Sequence, residues 1–567
     1  MGIKMNELTD QKEFEERADY SDPEDLKKWN VDNEYFQAIQ NKLIQKGAKL
    51  IVGPRGTGKT HQMRLAYDKC LKNKKYPLAF YTSFSKYYHL EPFLFKSPNA
   101  KKIFHTWVLG KIILSCYKLV DEEEYSDIVL DDEYDFLNKK LVEEFVSQAE
   151  KGTALSQYDE LITKLTINSV IKIIESLAIK LKRKKVVLLL DDAALSLTPD
   201  YMIEFFDIFR SLKTVRISPK ASVYPGTPSG PRLHIGHDVE PFQSWIDIET
   251  DYYSAFMDDI IEKRSLTVKT AIPKDIIELF KYASFGVPRF FLNLLRRFLQ
   301  DSGKSTQQKF NNVISEQVKL IKEEYLSLYQ KMPQYKSIIE TGFYLFETIV
   351  DDIAKANKNL QNEKQILIGI EDEQNILFER MMRFLIEAGL LYDKETVSHG
   401  ENRKYHRYIP HFAFLMQKRA FSSGKRGFDS GSIIEFINRK QSKHPVRRSF
   451  GKLLSAEQIE NMKLDLPPCS NCGAPRLTEE QKFCHNCGHE LVDKSAFKEC
   501  MKLTVDDLPI SDWQKRKIKE ESNLKTVSDF LTMPDPGTEL RKPHGIGPVR
   551  SEQIFNKVQQ LVEEFLS

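Results

Sequence analysis

The chain has 567 residues, of which 41% are hydrophobic and 29% charged, with a formal net charge of +3. This apolar content suffices for several packed cores, and the charge balance excludes both an acidic solvated coil and a strongly basic nucleic-acid arm. No uninterrupted apolar run approaches the roughly 18 residues of a membrane span, so none is expected.

Residues 1–35 are a polar, acidic lead-in without the apolar core of a signal peptide. Residues 36–271 read as an α/β unit. A helix over Glu34–Lys46 precedes the short strand Lys49-Leu50-Ile51-Val52, a glycine-rich loop and a helix from Lys59. Leu78–Thr82 reads as the next strand, and residues 98–181 as a helix-rich stretch. Val186–Leu190 is continuously apolar and ends in Asp191-Asp192, which fits a strand buried on both faces of a parallel sheet. A helix near 199–212 and a strand near 215–224 lead into a loop marked by Pro225, Pro228 and Pro231.

Residues 272–329 read as a helical lid, with Gly286-Val287-Pro288-Arg289 opening a helix. Residues 330–420 give helices followed by a hairpin, the pattern of a winged helix. Its expected recognition helix opens at Glu371-Asp372-Glu373-Gln374-Asn375, and its wing carries Arg403, Lys404, His406 and Arg407. Residues 421–465 read as a basic linker, 466–491 hold four cysteines, and 500–567 form a small all-α module.

Gly53-Pro54-Arg55-Gly56-Thr57-Gly58-Lys59-Thr60 fits G-x-x-x-x-G-K-T, placed between a strand and a helix. Glycines let backbone N–H groups wrap phosphates, and the helix N-terminus adds a positive dipole end. Lys59 is expected on the β- and γ-phosphates and Thr60 on Mg²⁺, with ATP the expected nucleotide. Asp191, at the end of a buried strand, is expected to hold Mg²⁺ through water. Asp192 either polarises the attacking water or caps the next helix.

Cys469, Cys472, Cys484 and Cys487 form two C-x-x-C pairs separated by eleven residues, each followed by glycine. Four thiolates satisfy tetrahedral Zn²⁺ with no open position, so a structural zinc ribbon is expected. Cys70, Cys116 and Cys500 are scattered, which fits reduced thiols in a cytoplasmic protein.

DNA contact is expected at three places: the basic wing, residues 401–452 with thirteen Lys or Arg against three acids, and His544-Gly545-Ile546-Gly547-Pro548. The last resembles a helix-hairpin-helix, whose turn offers N–H groups to a phosphate. A protein-docking wing, a solvated linker and a docking module are the respective alternatives.

The P-loop, the strand ending in Asp-Asp-Ala, the downstream G-x-P-R and the winged helix together resemble the AAA+ ATPases of the origin-recognition and initiator-loader family, over roughly residues 35–420. The resemblance implies an α/β AAA+ core with helical lid and winged helix, which the zinc ribbon and the small all-α helix-hairpin-helix module read above extend to a multidomain protein. It implies Arg289 as a γ-phosphate sensor, Thr227 as the polar sensor after the fourth strand, and a trans-acting finger among Arg210, Arg216 and Arg232. Its implied partners are DNA, further copies of the chain and a protein loaded on DNA. Signal-transduction ATPases of defence systems and transposition regulators stay open as alternatives.

Overall fold

The computed structural model describes residues 21–84, 99–122, 134–150, 156–192, 199–225, 227, 233–234, 236–264, 271–361, 363–372, 375–398, 403–422, 429–438, 440–441, 446–466, 468–469, 471–477, 481, 483–489, 491, 500–533 and 535–566. Five parallel strands form the first sheet: β1 Lys49–Val52, β2 Leu78–Ser83, β3 Val186–Asp191, β4 Ile217–Val223 and β5 Glu240–Gln243. Their spatial order is β2-β3-β4-β1-β5. Parallel pairing carries every strand in one direction, so the loops after Val52, Asp191, Val223 and Gln243 all emerge at one sheet edge.

Every residue of β3 is buried. Side chains alternate along a strand, so Val187 and Leu189 enter one core while Val186, Leu188 and Leu190 enter the other. β5 was not anticipated from sequence. Only Phe242 of its four residues is buried, and Pro241 is tolerated because β5 is an edge strand.

The second core packs helices Ala100–Glu122, Lys139–Glu150, Ile167–Lys180 and Pro199–Ser211 on the sheet. The first of these is long and apolar enough to cross a membrane by length and composition. However, 72% of its apolar window is buried inside the protein, through residues such as Phe104, Trp107, Ile112 and Cys116.

The first core does not stop at the helices Lys274–Ala283 and Pro288–Gln300. It runs continuously through Phe280, Phe310, Ile339, Ile368, Leu385, Ile409, Ile437 and Phe450. The second sheet contains β7 Ile368–Glu371, β8 Leu391–Asp393, β9 Val397–Ser398, β10 Lys404–Pro410 and β12 Val446–Arg448. β6 Lys364–Gln365 pairs separately with β11 Lys440–Gln441.

The basic-linker expectation is therefore corrected. β12 adds in parallel to β7, with Val446 opposite Ile368, and helices Ser430–Asn438 and Phe450–Leu453 follow the same core. Among the described basic residues, Lys418 and Arg448 pair with Asp351 and Asp352 at 2.8 and 2.7 Å. The helix opening is corrected too. Glu371 ends β7, and the helix Ile376–Glu387 begins after Asn375, whose side chain accepts from the N–H groups of Leu377 and Phe378.

Residues 500–566 fold around their own cluster, including Val505, Ile518, Phe530, Ile546, Ile554 and Val558. Replacing Phe450, whose ring lies 4.5 Å from that of Phe378, tests whether 430–462 belongs to the larger core. Phe450→Ala is expected to cost roughly 3 kcal/mol and lower the thermal unfolding midpoint of the main transition. A solvated linker would leave that midpoint unmoved.

Candidate functional site: a phosphate-type loop and a four-thiolate cluster

Residues 53–60 turn from β1 into the helix Lys59–Lys72. Gly56 and Gly58 have φ of +83° and +87°, a region that L side chains enter only with strain. Lys59 is buried, and its ammonium donates to the carbonyls of Gly53 and Pro54 at 2.5 and 3.0 Å. Burial pushes its pKa down to about 7, opposed by the carboxylates of Asp192 and Asp191. Thr57 braces the loop, donating to the Pro54 carbonyl at 3.0 Å and meeting the Ser244 hydroxyl at 3.0 Å.

Asp191 is fully buried at the end of β3. It accepts from the Ser222 hydroxyl at 2.7 Å, the Tyr81 hydroxyl at 2.8 Å and the Asp192 N–H at 3.0 Å. Oδ1 takes the Ser222 and Asp192 donors and Oδ2 takes Tyr81, so a lone pair of Oδ2 fits a water-bridged cation. Asp192 has φ +52°, a left-handed conformation that Asp tolerates better than most residues. Its N–H also donates to Ser222 at 2.8 Å. Ser222 thus ties both acids to β4. Sequence reading missed it; the signal was a serine within a buried strand, where an unmatched hydroxyl is costly.

Thr227 closes a local turn: its hydroxyl accepts from the Tyr224 N–H, and its own N–H donates to the Tyr224 carbonyl, both at 3.2 Å. Arg289 lies at the start of the helix Pro288–Gln300, and its N–H donates to the Gly56 carbonyl at 3.3 Å. A Cβ at Gly56 would stand 2.6 Å from the Arg289 Cβ, so only glycine lets loop and lid meet this closely. Arg210 and Arg216 lie at the end of the helix Pro199–Ser211 and just before β4; Arg232 lies outside the described residues.

The second sheet reaches the same place. A Cβ at Gly389 would stand 3.7 Å from Pro54. The Trp245 ring packs edge-on against Tyr392, centroids 4.6 Å apart, and Lys394 bridges Asp247 and Glu249.

The four thiolates of Cys469, Cys472, Cys484 and Cys487 all lie within 4.8 Å of one another. The closest pairs, Cys469 with Cys487 and Cys472 with Cys484, are 3.5 Å apart. Zn–S bonds of about 2.3 Å in a tetrahedron need sulfurs roughly 3.8 Å apart, so the cluster fits zinc. The two knuckles share one geometry. Gly473 and Gly488 have φ of +72° and +68°, and donate to the Cys469 and Cys484 carbonyls, each at 2.9 Å.

Of the basic features, Tyr405, Arg447, Arg448 and Lys452 line an open cleft of about 490 Å³ with Glu371 and Ser449. His406 faces Asp372 at 3.2 Å. In the C-terminal unit, Gly545 has φ +93°, a Cβ there would meet the Trp513 ring at 3.1 Å, and Pro548 opens a 19-residue helix.

No family model and no curated protein matches the chain. Solved structures with similarity include the Walker-type ATPase PABY2304 of Pyrococcus abyssi, 13% identical, covering 69% of this chain and 95% of that one, TM-score 0.36. The Aeropyrum pernix ORC1 protein in complex with DNA is 13% identical over 68% of this chain and 91% of that one, TM-score 0.29. The Aeropyrum pernix ORC2 protein is 13% identical over 72% and 98%, TM-score 0.32. Likeness at this level says nothing of chemistry, so function is read from this chain's own residues.

Ser222→Ala removes a donor to Asp191 and an acceptor for the Asp192 N–H. It is expected to destabilise by about 1–3 kcal/mol, measured by denaturant unfolding, whereas a serine without structural work would cost nothing measurable.

Proposed function

We propose that this chain is an AAA+ ATPase that binds ATP with Mg²⁺ at residues 53–60 and uses nucleotide state to control attachment to DNA. The observation that carries the reading is the convergence at one sheet edge. Lys59, the pair Asp191 and Asp192 tied by Ser222, and Arg289 against Gly56 come from four separate chain segments. A glycine-rich turn alone would not gather acids and a lid arginine around a buried lysine.

In this reading the loop N–H groups and Lys59 cradle the phosphates. Thr60 and, through water, Asp191 would hold Mg²⁺, which would supply charge neutralisation. Asp192 orients the attacking water, and Arg289 contacts the γ-phosphate from the lid. Asp is one methylene shorter than Glu, so slow turnover is expected from Asp192.

The approach of Gly389 to Pro54, near enough that an added Cβ would touch it, and the contact of Tyr392 with Trp245 support coupling from the loop to the second sheet. That sheet with the helix Ile376–Glu387 serves as the winged helix, and 500–567 as the helix-hairpin-helix. Exposed lysines and arginines there give salt-dependent phosphate affinity, and linkage of two weak sites raises it. The same contacts also suit the second reading, a signal-transduction ATPase whose nucleotide state gates assembly. The cysteine cluster holds zinc as a structural centre.

Lys59→Ala is expected to weaken ATP affinity at least tenfold in a calorimetric titration; unchanged affinity would end the nucleotide reading. Fluorescence anisotropy with duplex DNA at low salt, with and without ATP, is expected to show binding that shifts with nucleotide. No binding would remove the DNA arm and leave the signalling one. Metal analysis is expected to find stoichiometric zinc, lost in Cys472→Ser and Cys487→Ser; a zinc-free native protein would refute the ribbon.

A further inference from the structure

Lys59 is enclosed by the protein's own groups on more than the carbonyl side. Two of its three donors are used on the Gly53 and Pro54 carbonyls. The Tyr224 ring lies with its centroid 4.4 Å from the ammonium nitrogen, well within cation–π range. Tyr224 follows β4 directly, on the Asp191 side of the loop, and its turn is locked by the two bonds with Thr227. Its phenol is hydrogen-bonded to Arg55 and lies in the field of Asp192 and Arg289. The ring therefore covers Lys59 while its phenol meets Arg55.

We propose that Tyr224 is an aromatic gate on Lys59 that competes with the third phosphate of a nucleotide but not with the second, so that the site favours the diphosphate. The inference rests on the nucleotide reading above. A β-phosphate seated in the loop replaces the Gly53 and Pro54 carbonyls as partner of Lys59. A γ-phosphate extends toward Asp191 and Asp192 and must also displace the ring from Lys59. The cost falls on the triphosphate alone. Thr227, which sequence reading took as a direct sensor, acts in this arrangement by positioning Tyr224.

Calorimetric titration of the full chain with MgADP and with Mg²⁺ and a non-hydrolysable ATP analogue tests this. Tyr224→Leu keeps apolar volume and loses the ring. It is expected to bind the triphosphate about tenfold more tightly, the scale of a desolvated cation–π contact, with ADP affinity changed less than about threefold. Tyr224→Met repeats the test should the leucine variant misfold. Tyr224→Phe is expected to keep the parent's triphosphate-to-diphosphate ratio. An unchanged ratio in the leucine and methionine variants overturns the gate while leaving the nucleotide site standing. A phenylalanine variant shifted like leucine moves the effect to the phenol and overturns the ring assignment. A parent protein that binds neither nucleotide sinks the site and the gate together.

Discussion

A strand buried along its whole length constrains everything around it. Each residue of Val186–Asp191 is removed from water, so apolar side chains must leave β3 in both directions and meet cover on both faces. That requirement builds the two cores. It also carries Asp191 to the end of the strand with no water to solvate it. An isolated buried carboxylate is costly, and the hydroxyls of Ser222 and Tyr81 with the Asp192 N–H repay the cost. The register that sets Leu190 opposite Ala221 brings Ser222 level with Asp191.

The same logic governs Lys59. A buried ammonium needs partners, and the loop supplies carbonyls while Tyr224 supplies a ring face. In the proposed function these are interactions a phosphate must replace, and so the loop's own bonds become part of its selectivity. Gly56 admits the backbone of the lid into the loop, which ties any movement of residues 53–60 to the helix Pro288–Gln300. The ring contact of Trp245 with Tyr392 ties the first sheet to the second.

The chain divides by cores rather than by composition. One apolar cluster runs from one face of the first sheet to residue 462, a second covers the other face, and 500–562 close around a third. Between them the cysteine knuckles are too short to bury a core, which is the circumstance in which a metal stabilises a fold.

Local pattern determined a good deal by itself. The glycine spacing at 53–60, the apolar run of β3 and the paired C-x-x-C text are all short-range, and their chemistry depends on residues adjacent in sequence. Cap and turn geometry at Gly473, Gly488 and Gly545 is equally local, because a positive φ is a property of one residue. What only the tertiary structure decided were relations between distant segments. Ser222 against Asp191, Arg289 against Gly56, Tyr224 over Lys59, and Val446–Arg448 added to β7 each join residues from 31 to more than two hundred positions apart or from separate elements. β12 was hidden because its three residues include two arginines and one apolar side chain. Strand addition is driven by backbone hydrogen bonds, which every residue type can make, so composition carried no sign of it. The same residues that look solvated in sequence are held by Asp352 and by the edge of a sheet that forms only once the chain has folded.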